Sequence, residues 1–230
     1  MITIIIPTYN EAAFIGATLA RLRAISGGVV WEVIVVDGGS TDGTVEEALE
    51  GGARVVRSAK GRAVQMNTGA AAATTDLLYF LHAETLPPEG FTTLIALAVD
   101  NGAVAGCFRL SFDHDHWFLR ANCWFTRFNV QAFRYGDQSL FVRKEVFDRA
   151  GGFDERLIVF EDNEIVRRLK RSGPFKILSA SVRTSARKYI ENGIFRMQAI
   201  FYLMYFLYRA GWSQERLLRT YRKLITQDKL

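Results

Sequence analysis

From residue 1 to about residue 110, short β-branched runs alternate with stretches whose apolar positions return every three or four residues. That alternation predicts strands joined by crossover helices around a largely parallel sheet. Residues 2–6 read as the first strand and residues 10–25 as an amphipathic helix, with Phe14, Ile15, Leu19 and Leu22 on one face. Residues 32–36 follow as a strand and 44–49 as the opening of a helix. Residues 53–56 are a third strand and 61–73 an Ala-rich helix. Residues 77–81, "LLYFL", are apolar at every position and predict a strand buried on both faces. Beyond residue 105 the pattern becomes aromatic and irregular, punctuated by Gly106, Asp113-His114-Asp115-His116 and Tyr135-Gly136-Asp137-Gln138. After a turn at residues 151–155, Asp162 is placed to cap a helix running through Leu169.

In open α/β sheets ligands bind beyond the carboxyl ends of the strands, so the polar residues there are the candidates for chemistry. The first strand runs into Pro7-Thr8-Tyr9-Asn10-Glu11, the second into Asp37-Gly38-Gly39-Ser40-Thr41-Asp42-Gly43, and the fourth into His82-Ala83-Glu84. The second loop lacks the glycine spacing of a dinucleotide fingerprint and the Gly-Lys-Ser/Thr of a Walker loop. Its Asp37 can still accept from a base or ribose, while Asp42 serves the next helix. His82 and Glu84, two apart on an extended chain, would face the same way and could share a cation or a diphosphate. Asp113-His114-Asp115-His116 has similar composition and reads as a solvated loop. Glu161 and Asp162 put adjacent carboxylates at a helix start, where the backbone dipole favours negative charge and one of them can act as a general base.

Composition narrows the class. With 230 residues, 49% hydrophobic and 23% charged, the chain reads as a soluble globular protein. Two cysteines among apolar neighbours, Cys107 and Cys123, read as buried free thiols and a cytoplasmic setting. The first residues have no basic region ahead of the apolar run and are interrupted by Pro7, unlike a targeting segment. The net charge of +5 is uneven: residues 187–230 hold nine Lys or Arg against three acids, and the remainder is slightly acidic. Within that tail, residues 197–208 read "MQAIFYLMYFLY", too short for the roughly twenty residues a bilayer span needs. The stretch suits a helix at a membrane surface, a contact between copies of the chain, or packing on the body. No recognition motif supports binding of nucleic acid. The division expected is residues 1–186 as one domain and 187–230 as a basic, aromatic helical extension.

Five segments in order, "IIIPTYNEAAFI", "VIVVDGGSTDGT", "GRAVQMNTGAAAATTDLLYFLHAETLPP", "GDQSLFVRKEVFDRAGGFDE" and "FEDNEIVRRLKRSG", resemble the inverting glycosyltransferases of family 2. "GRAVQMNTGA", "LHAET" and "GDQ" are most similar to a bacterial subgroup found beside radical-SAM or selenium-related genes. The resemblance implies a GT-A fold, a single Rossmann-like α/β domain with a mixed, mostly parallel sheet flanked by helices. It also implies a nucleotide-sugar donor, UDP-linked in the favoured reading, and a hydroxyl acceptor that the tail suggests is lipid-linked. By the same resemblance Pro7, Tyr9 and Glu11 frame the nucleotide pocket, Asp37 holds the base, and Arg62 with Asn67 closes over base or phosphates. His82-Ala83-Glu84 stands where the family carries Asp-X-Asp, so Glu84, with His82, becomes the expected ligand of Mn²⁺ or Mg²⁺. Asp162 matches the catalytic base, Glu161 supports the acceptor site, Asp137 lies near the acceptor, and Arg187 is expected to reach a phosphate. Two other readings compete. A sugar-nucleotide pyrophosphorylase needs a Gly-rich basic loop that residues 8–14 lack, and the altered metal motif makes a non-catalytic nucleotide-sugar sensor or membrane adaptor conceivable.

Overall fold

The computed structural model describes residues 1–25, 31–134 and 136–226. Tyr135, in the aromatic middle, and Asp228 and Lys229, in the charged tail, lie outside the described residues. The amino-terminal half alternates β1 (Ile2–Thr8), α1 (Ala12–Ile25), β2 (Trp31–Asp37), α2 (Thr44–Glu50), β3 (Arg54–Arg57), α3 (Arg62–Ala72) and β4 (Leu77–Phe80). Each expected strand and helix is present there, with bounds shifted by one or two residues. β5 (Thr85–Leu86) and α4 (Phe91–Asp100) follow.

The stretch that reads as irregular is built from regular elements: β6 (Ala105–Phe112), α5 (Trp117–Phe125), β7 (Leu140–Arg143) and α6 (Lys144–Arg149). Its strands carry polar or glycine residues that break the β pattern, and packing rather than propensity holds them extended. Gly106 shows why: a Cβ there would stand 2.1 Å from the Lys176 carbonyl oxygen and 2.4 Å from the Phe141 ring. Two short 3₁₀ turns, Gln131–Phe133 and Gly136–Gln138, bridge α5 to β7. The chain then runs through α7 (Glu161–Ser172), β8 (Phe175–Thr184), α8 (Arg187–Asn192), α9 (Ile194–Arg209) and α10 (Gln214–Leu224).

Eight strands form one mixed sheet in the order β3-β2-β1-β4-β7-β6-β8-β5. β1, β2, β3 and β4 are mutually parallel, β7 is antiparallel to both β4 and β6, and β6 pairs with β8 in parallel. Strand alternation sorts β1 between two apolar layers. Ile2, Ile4 and Ile6 meet Ile15, Leu19 and Leu22 of α1 on one face. Ile5, with Ile34 and Val36, meets Ala63, Met66 and Ala70 of α3 on the other. A third cluster ties α8, α9 and α10 to the body through Leu119 of α5 and includes Tyr189, Met197, Met204, Leu217 and Tyr221. The tail therefore packs against the domain on one side, while Phe195, Tyr202, Leu203 and Phe206 of α9 remain exposed. α9 has 16 residues, and no helix among the described residues is long and apolar enough to cross a membrane.

Two local expectations are corrected. Asp162 does not cap α7: the helix starts one residue earlier, after Phe160 in a left-handed conformation with φ 66°, and Asp162 Oδ1 accepts from the adjacent Asn163 N–H at 2.7 Å. His82 and Glu84 do not face one way on an extended chain. The backbone turns there, Thr85 N–H donating to the His82 carbonyl at 3.1 Å, and His82 pairs with Asp137 while Glu84 pairs with Arg187.

Candidate active site

The carboxyl ends of β1, β2 and β4 deliver their loops to one edge of the sheet, as parallel crossovers require. The first two loops are laced together. Asn10, at φ 54°, accepts from Thr41 N–H at 2.9 Å through Oδ1, and Asn10 N–H donates to Ser40 Oγ at 2.9 Å. Asp42 accepts from Ala12 N–H at 3.2 Å and from Thr44 N–H at 3.0 Å, satisfying first-turn donors of both α1 and α2. Phe160, Asn10 and Ser139 are the non-glycine residues with positive φ among those described. All three adjoin this edge, the pattern of strain held where geometry matters for function.

Around that edge lies a cleft of about 440 Å³ bordered by Pro7, Tyr9 and Glu11 from the first loop, Arg62 from α3, and His82 and Glu84. Lys60, Arg187, Lys188 and Arg222 also line it, so cations surround a space large enough for a nucleotide's phosphates. Lys60 Nζ lies 3.9 Å over the Tyr9 ring. Glu84 faces Arg187 at 3.6 Å. Burial raises the Glu84 carboxyl above its usual range, and the Asp137 charge adds to this while Lys188 and Arg187 oppose it. Lys188 is itself lowered, by burial and by the charge of Arg62.

Two expected nucleotide residues stand back from the cleft. Asp37 is 2% exposed and its carboxylate accepts from Gly39 N–H at 3.0 Å and Ser40 N–H at 3.1 Å, which folds its own loop. Asn67 donates to the Phe153 carbonyl and accepts from Phe153 N–H, at 2.9 and 2.8 Å, and so pins the turn before α7.

The carboxylates gather opposite. His82 Nδ1 lies 3.1 Å from Asp137 Oδ1. Burial works against the Asp137 charge, yet the bond to His82 and its positive neighbours hold the carboxyl down to about 2. Glu161 is 1% exposed, with Arg62 Nη1 3.4 Å from its Oε1. Burial pushes Glu161 up to about 6; Arg62 opposes the rise and the adjacent Asp162 charge adds to it. Asp162 is raised as well, by burial first. Gly136 sits between the two sides: a Cβ there would be 2.6 Å from Asp162 Oδ2 and 3.0 Å from the His82 ring. A larger residue at Gly136 would displace the Asp162 carboxylate or the His82 ring from these positions.

A second space, of about 180 Å³, opens from the same carboxylates away from the phosphate side. It shares Arg62, His82, Glu84, Asp137, Lys188 and Tyr221 with the first, and Glu161 and Asp162 face into it. The structure thus brings together Pro7, Tyr9, Glu11, Arg62, His82, Glu84, Asp137, Glu161, Asp162 and Arg187, and leaves Asp37 and Asn67 behind the wall. Sequence reasoning missed Lys60, Gly136 as a close-approach glycine, Lys188 and Tyr221. Lys60 and Lys188 are basic neighbours of motif residues and were within reach; nothing in the tail's pattern marks Tyr221.

As a metal site the donor set is spare. Among the described residues no group of three or more His, Cys, Asp or Glu could hold an ion. His82 is turned to Asp137, which leaves Glu84 as the carboxylate of the expected metal pair, with Glu11, Asp137 and Glu155 also bordering the cleft. One carboxylate plus substrate phosphates is a normal way to hold Mg²⁺ or Mn²⁺, so the residues fit a phosphate-bridged ion and not an all-protein cage.

A mixed sheet with phosphate-sized cations at its parallel edge and paired carboxylates across the cleft defines a GT-A-like α/β domain. Residues 3–153 match the model for glycosyl transferase family 2, and the chain belongs to that family. Among curated proteins it is 31% identical to glucosyl-3-phosphoglycerate synthase from Mycolicibacterium smegmatis, over 38% of this chain and 32% of that protein. It is 32% identical to an undecaprenyl-phosphate 4-deoxy-4-formamido-L-arabinose transferase from Aeromonas hydrophila, over 52% of this chain and 40% of that one. The matched region therefore spans less than half the length of either relative. Among solved structures, a mannosyltransferase from Pyrobaculum calidifontis in complex with GDP-Man and Mn²⁺ superposes with TM-score 0.70 at 19% identity, covering 91% of this chain and 63% of that one. S. aureus TarS 1–349 in complex with UDP gives TM-score 0.66 at 16% identity, over 94% and 68%. At such identities the likeness is one of fold.

Proposed function

We propose that the protein transfers a sugar from a nucleotide diphosphate, UDP in the favoured reading, to an acceptor hydroxyl with inversion at the anomeric carbon. The carrying observation is the shared wall: a cation-lined cleft and a second space holding Asp162 meet at Arg62, His82, Glu84, Asp137 and Lys188. Donor and acceptor can thus lie on opposite sides of one reacting carbon.

In this reading Asp162 accepts the proton of the acceptor hydroxyl as its oxygen attacks the anomeric carbon. A C–O bond forms on one face while the bond to the diphosphate breaks on the other, its electron pair leaving with the phosphate oxygen. Burial that raises the Asp162 carboxyl makes its ionised form a stronger base. Arg62 restrains Glu161, and Glu161 in turn shapes the acceptor side. Asp137, tied to His82, borders the same space. Lys60, Arg187 and Lys188 face the donor phosphates. When bound, Mn²⁺ or Mg²⁺ held at Glu84 would offset the leaving group's charge. Behind the wall, Asp37 orders the loop against which the base would lie, and Asn67 fixes the turn leading to the catalytic helix. The exposed aromatic face of α9 supports a peripheral site on the inner face of a membrane, and the wording of "GRAVQMNTGA" and "LHAET" supports the bacterial subgroup found beside radical-SAM or selenium-related genes.

A thermal-shift panel of UDP, GDP, CDP and dTDP, each with and without Mn²⁺ or Mg²⁺, tests this. A ligand at a hundred times its dissociation constant adds about 2.7 kcal/mol of stability. UDP should raise the melting temperature, and more with metal. Silence from all four would count against the transferase and the nucleotide-sugar sensor alike and move the membrane adaptor ahead.

A further inference from the structure

The second space has a wall unlike that of the donor cleft. Leu110 and Phe112 from β6, Phe133 from the 3₁₀ turn, and Phe201 and Met204 from α9 enclose it, with Asp162 and Glu161 at its inner end. We infer that this cavity takes the apolar portion of the acceptor, so that the substrate is an alcohol whose hydroxyl is borne on an alkyl or aryl segment and not on a sugar. The inference rests on the transferase reading and narrows its acceptor.

Size fits first. An apolar cavity of about 150 Å³ stays dry and admits benzene, and this one measures about 180 Å³. One ring, or a short run of chain carbons, fills it.

Polar groups in the wall are already occupied. Asn122 accepts from Tyr202 O–H at 2.9 Å and donates to the Phe118 carbonyl at 2.8 Å. Gln198 Oε1 accepts from Tyr189 O–H at 2.9 Å. Thr126 Oγ1 donates to the Cys123 carbonyl at 2.6 Å and accepts from Leu110 N–H at 3.1 Å. A sugar acceptor brings several hydroxyls that each need a partner on desolvation. This wall holds its amides and hydroxyls in bonds of its own, and keeps charge at the end where the reacting hydroxyl must sit.

The exit is apolar too. Phe125 and Tyr202 both line the cavity and reach solvent, at 44% and 50% exposure, and Trp124, Phe128 and Phe206 are exposed nearby on α5, the turn after it and α9. Phe125 packs at 5.5 Å from Phe133, so the lining and the surface aromatics form one continuous path. A segment too long for the cavity can continue along it over aromatic faces, the cation on that path being Arg127, whose guanidinium lies 4.4 Å over the Trp124 ring and donates to the Trp124 carbonyl at 3.0 Å.

The test measures saturable binding to the full chain of 1-octanol and farnesol as alkyl alcohols, benzyl alcohol as an aryl alcohol, and glycerol and methyl glucoside as polar ones. Wild type is compared with Met204→Trp and Phe201→Trp, two independent plugs, each checked for a cooperative unfolding transition and for UDP affinity. One-site binding of an alkyl or aryl alcohol should weaken by at least about tenfold in the plugged variants, since overpacked cores resist further volume, while UDP affinity stays unchanged. Preference for octanol and farnesol identifies a chain-bearing acceptor, and preference for benzyl alcohol a compact aromatic one. The inference is overturned if methyl glucoside or glycerol binds best, if no apolar alcohol binds saturably, or if folded plugged variants bind alcohols like wild type. Alcohol binding without binding of any nucleotide in the panel would sink the transferase reading and leave the cavity's apolar preference standing.

Discussion

The two halves of the cleft are made differently. The proposed donor side is assembled from loops at the carboxyl ends of β1 and β4, with Lys60, Arg62, Arg187 and Lys188 converging on it. The proposed acceptor side is built from side chains of β6, α5 and α9 that project from regular elements, and its surface is aromatic. In this reading charge recognition falls to loops and to the first turns of α3 and α8, and shape recognition to the sides of packed helices and a strand. One lesson is that a family's shared chemistry and its variable specificity need not sit on the same kind of structure. In the proposed reading strand-end loops and helix starts hold the former, and a packed surface, changeable one side chain at a time, holds the latter.

The sharpest break in that comparison falls on the proposed base, at the boundary between the two halves. Asp162→Asn should lower turnover about 10²- to 10⁴-fold, the usual contribution of a positioned base, and leave nucleotide affinity intact. Initial rates and a nucleotide titration read the two effects separately, and full turnover would show that the base is elsewhere. Next, Arg187→Ala acts on the donor half alone. Loss of a hydrogen bond to a charged group is worth about 1.5–3 kcal/mol, so nucleotide affinity should fall on the order of ten- to a hundredfold while affinity for alcohols does not move. Equal affinity in the variant would remove Arg187 from the donor site.

Third comes a pH effect on the acceptor half. Glu161 sits near 6 in the folded chain against 4.5 for an ordinary glutamate. The folded state therefore binds its proton more tightly, and stability falls as pH rises from about 4.5 to about 6, by about 2 kcal/mol at most. Glu161→Gln should flatten that stretch of the stability profile and gain most above pH 6. Asp137, held at about 2 against 3.8, acts oppositely: its stabilisation is present above pH 4 and lost as pH falls through 2. Denaturant titrations across pH separate the two windows. An unchanged slope in Glu161→Gln would mean the carboxyl is not buried as described. The smallest effect concerns how the tail meets the wall. Gln214→Ala removes an oxygen that accepts from Ile158 N–H at 2.9 Å and Val159 N–H at 3.0 Å. The expected loss of stability is about 1 kcal/mol, read by urea midpoint, with no change in the slope.

Legibility in the sequence divides along the same line. The donor half was readable because its elements are local and periodic: "LLYFL" had to be a buried strand, and the loop leaving such a strand in a parallel sheet faces the ligand edge. The proposed catalytic pair stood out because adjacent carboxylates at a helix start are chemically conspicuous. The acceptor half was not. β6 carries Gly106 and Arg109 and holds its shape through a parallel partner, β8, far along the chain. No local pattern announces such a pairing. Nor could residue types reveal that Asp37 turns its side chain into its own loop and Asn67 into the distant turn at Phe153, since the same donors and acceptors would serve a ligand. The turn at His82 was hidden for a similar reason, a single backbone bond deciding where two side chains point.

Ile158 and Val159 both donate to one oxygen of Gln214, and this shared acceptor has a kinetic consequence. Their amide protons lie in the loop that leads to α7, but the group shielding them belongs to α10. Isotope exchange at these two positions should therefore be synchronous and should time the undocking of α10 rather than any fraying of their own loop. Because Tyr221 of that helix borders both spaces, the same clock would mark the moments when the donor and acceptor compartments open together.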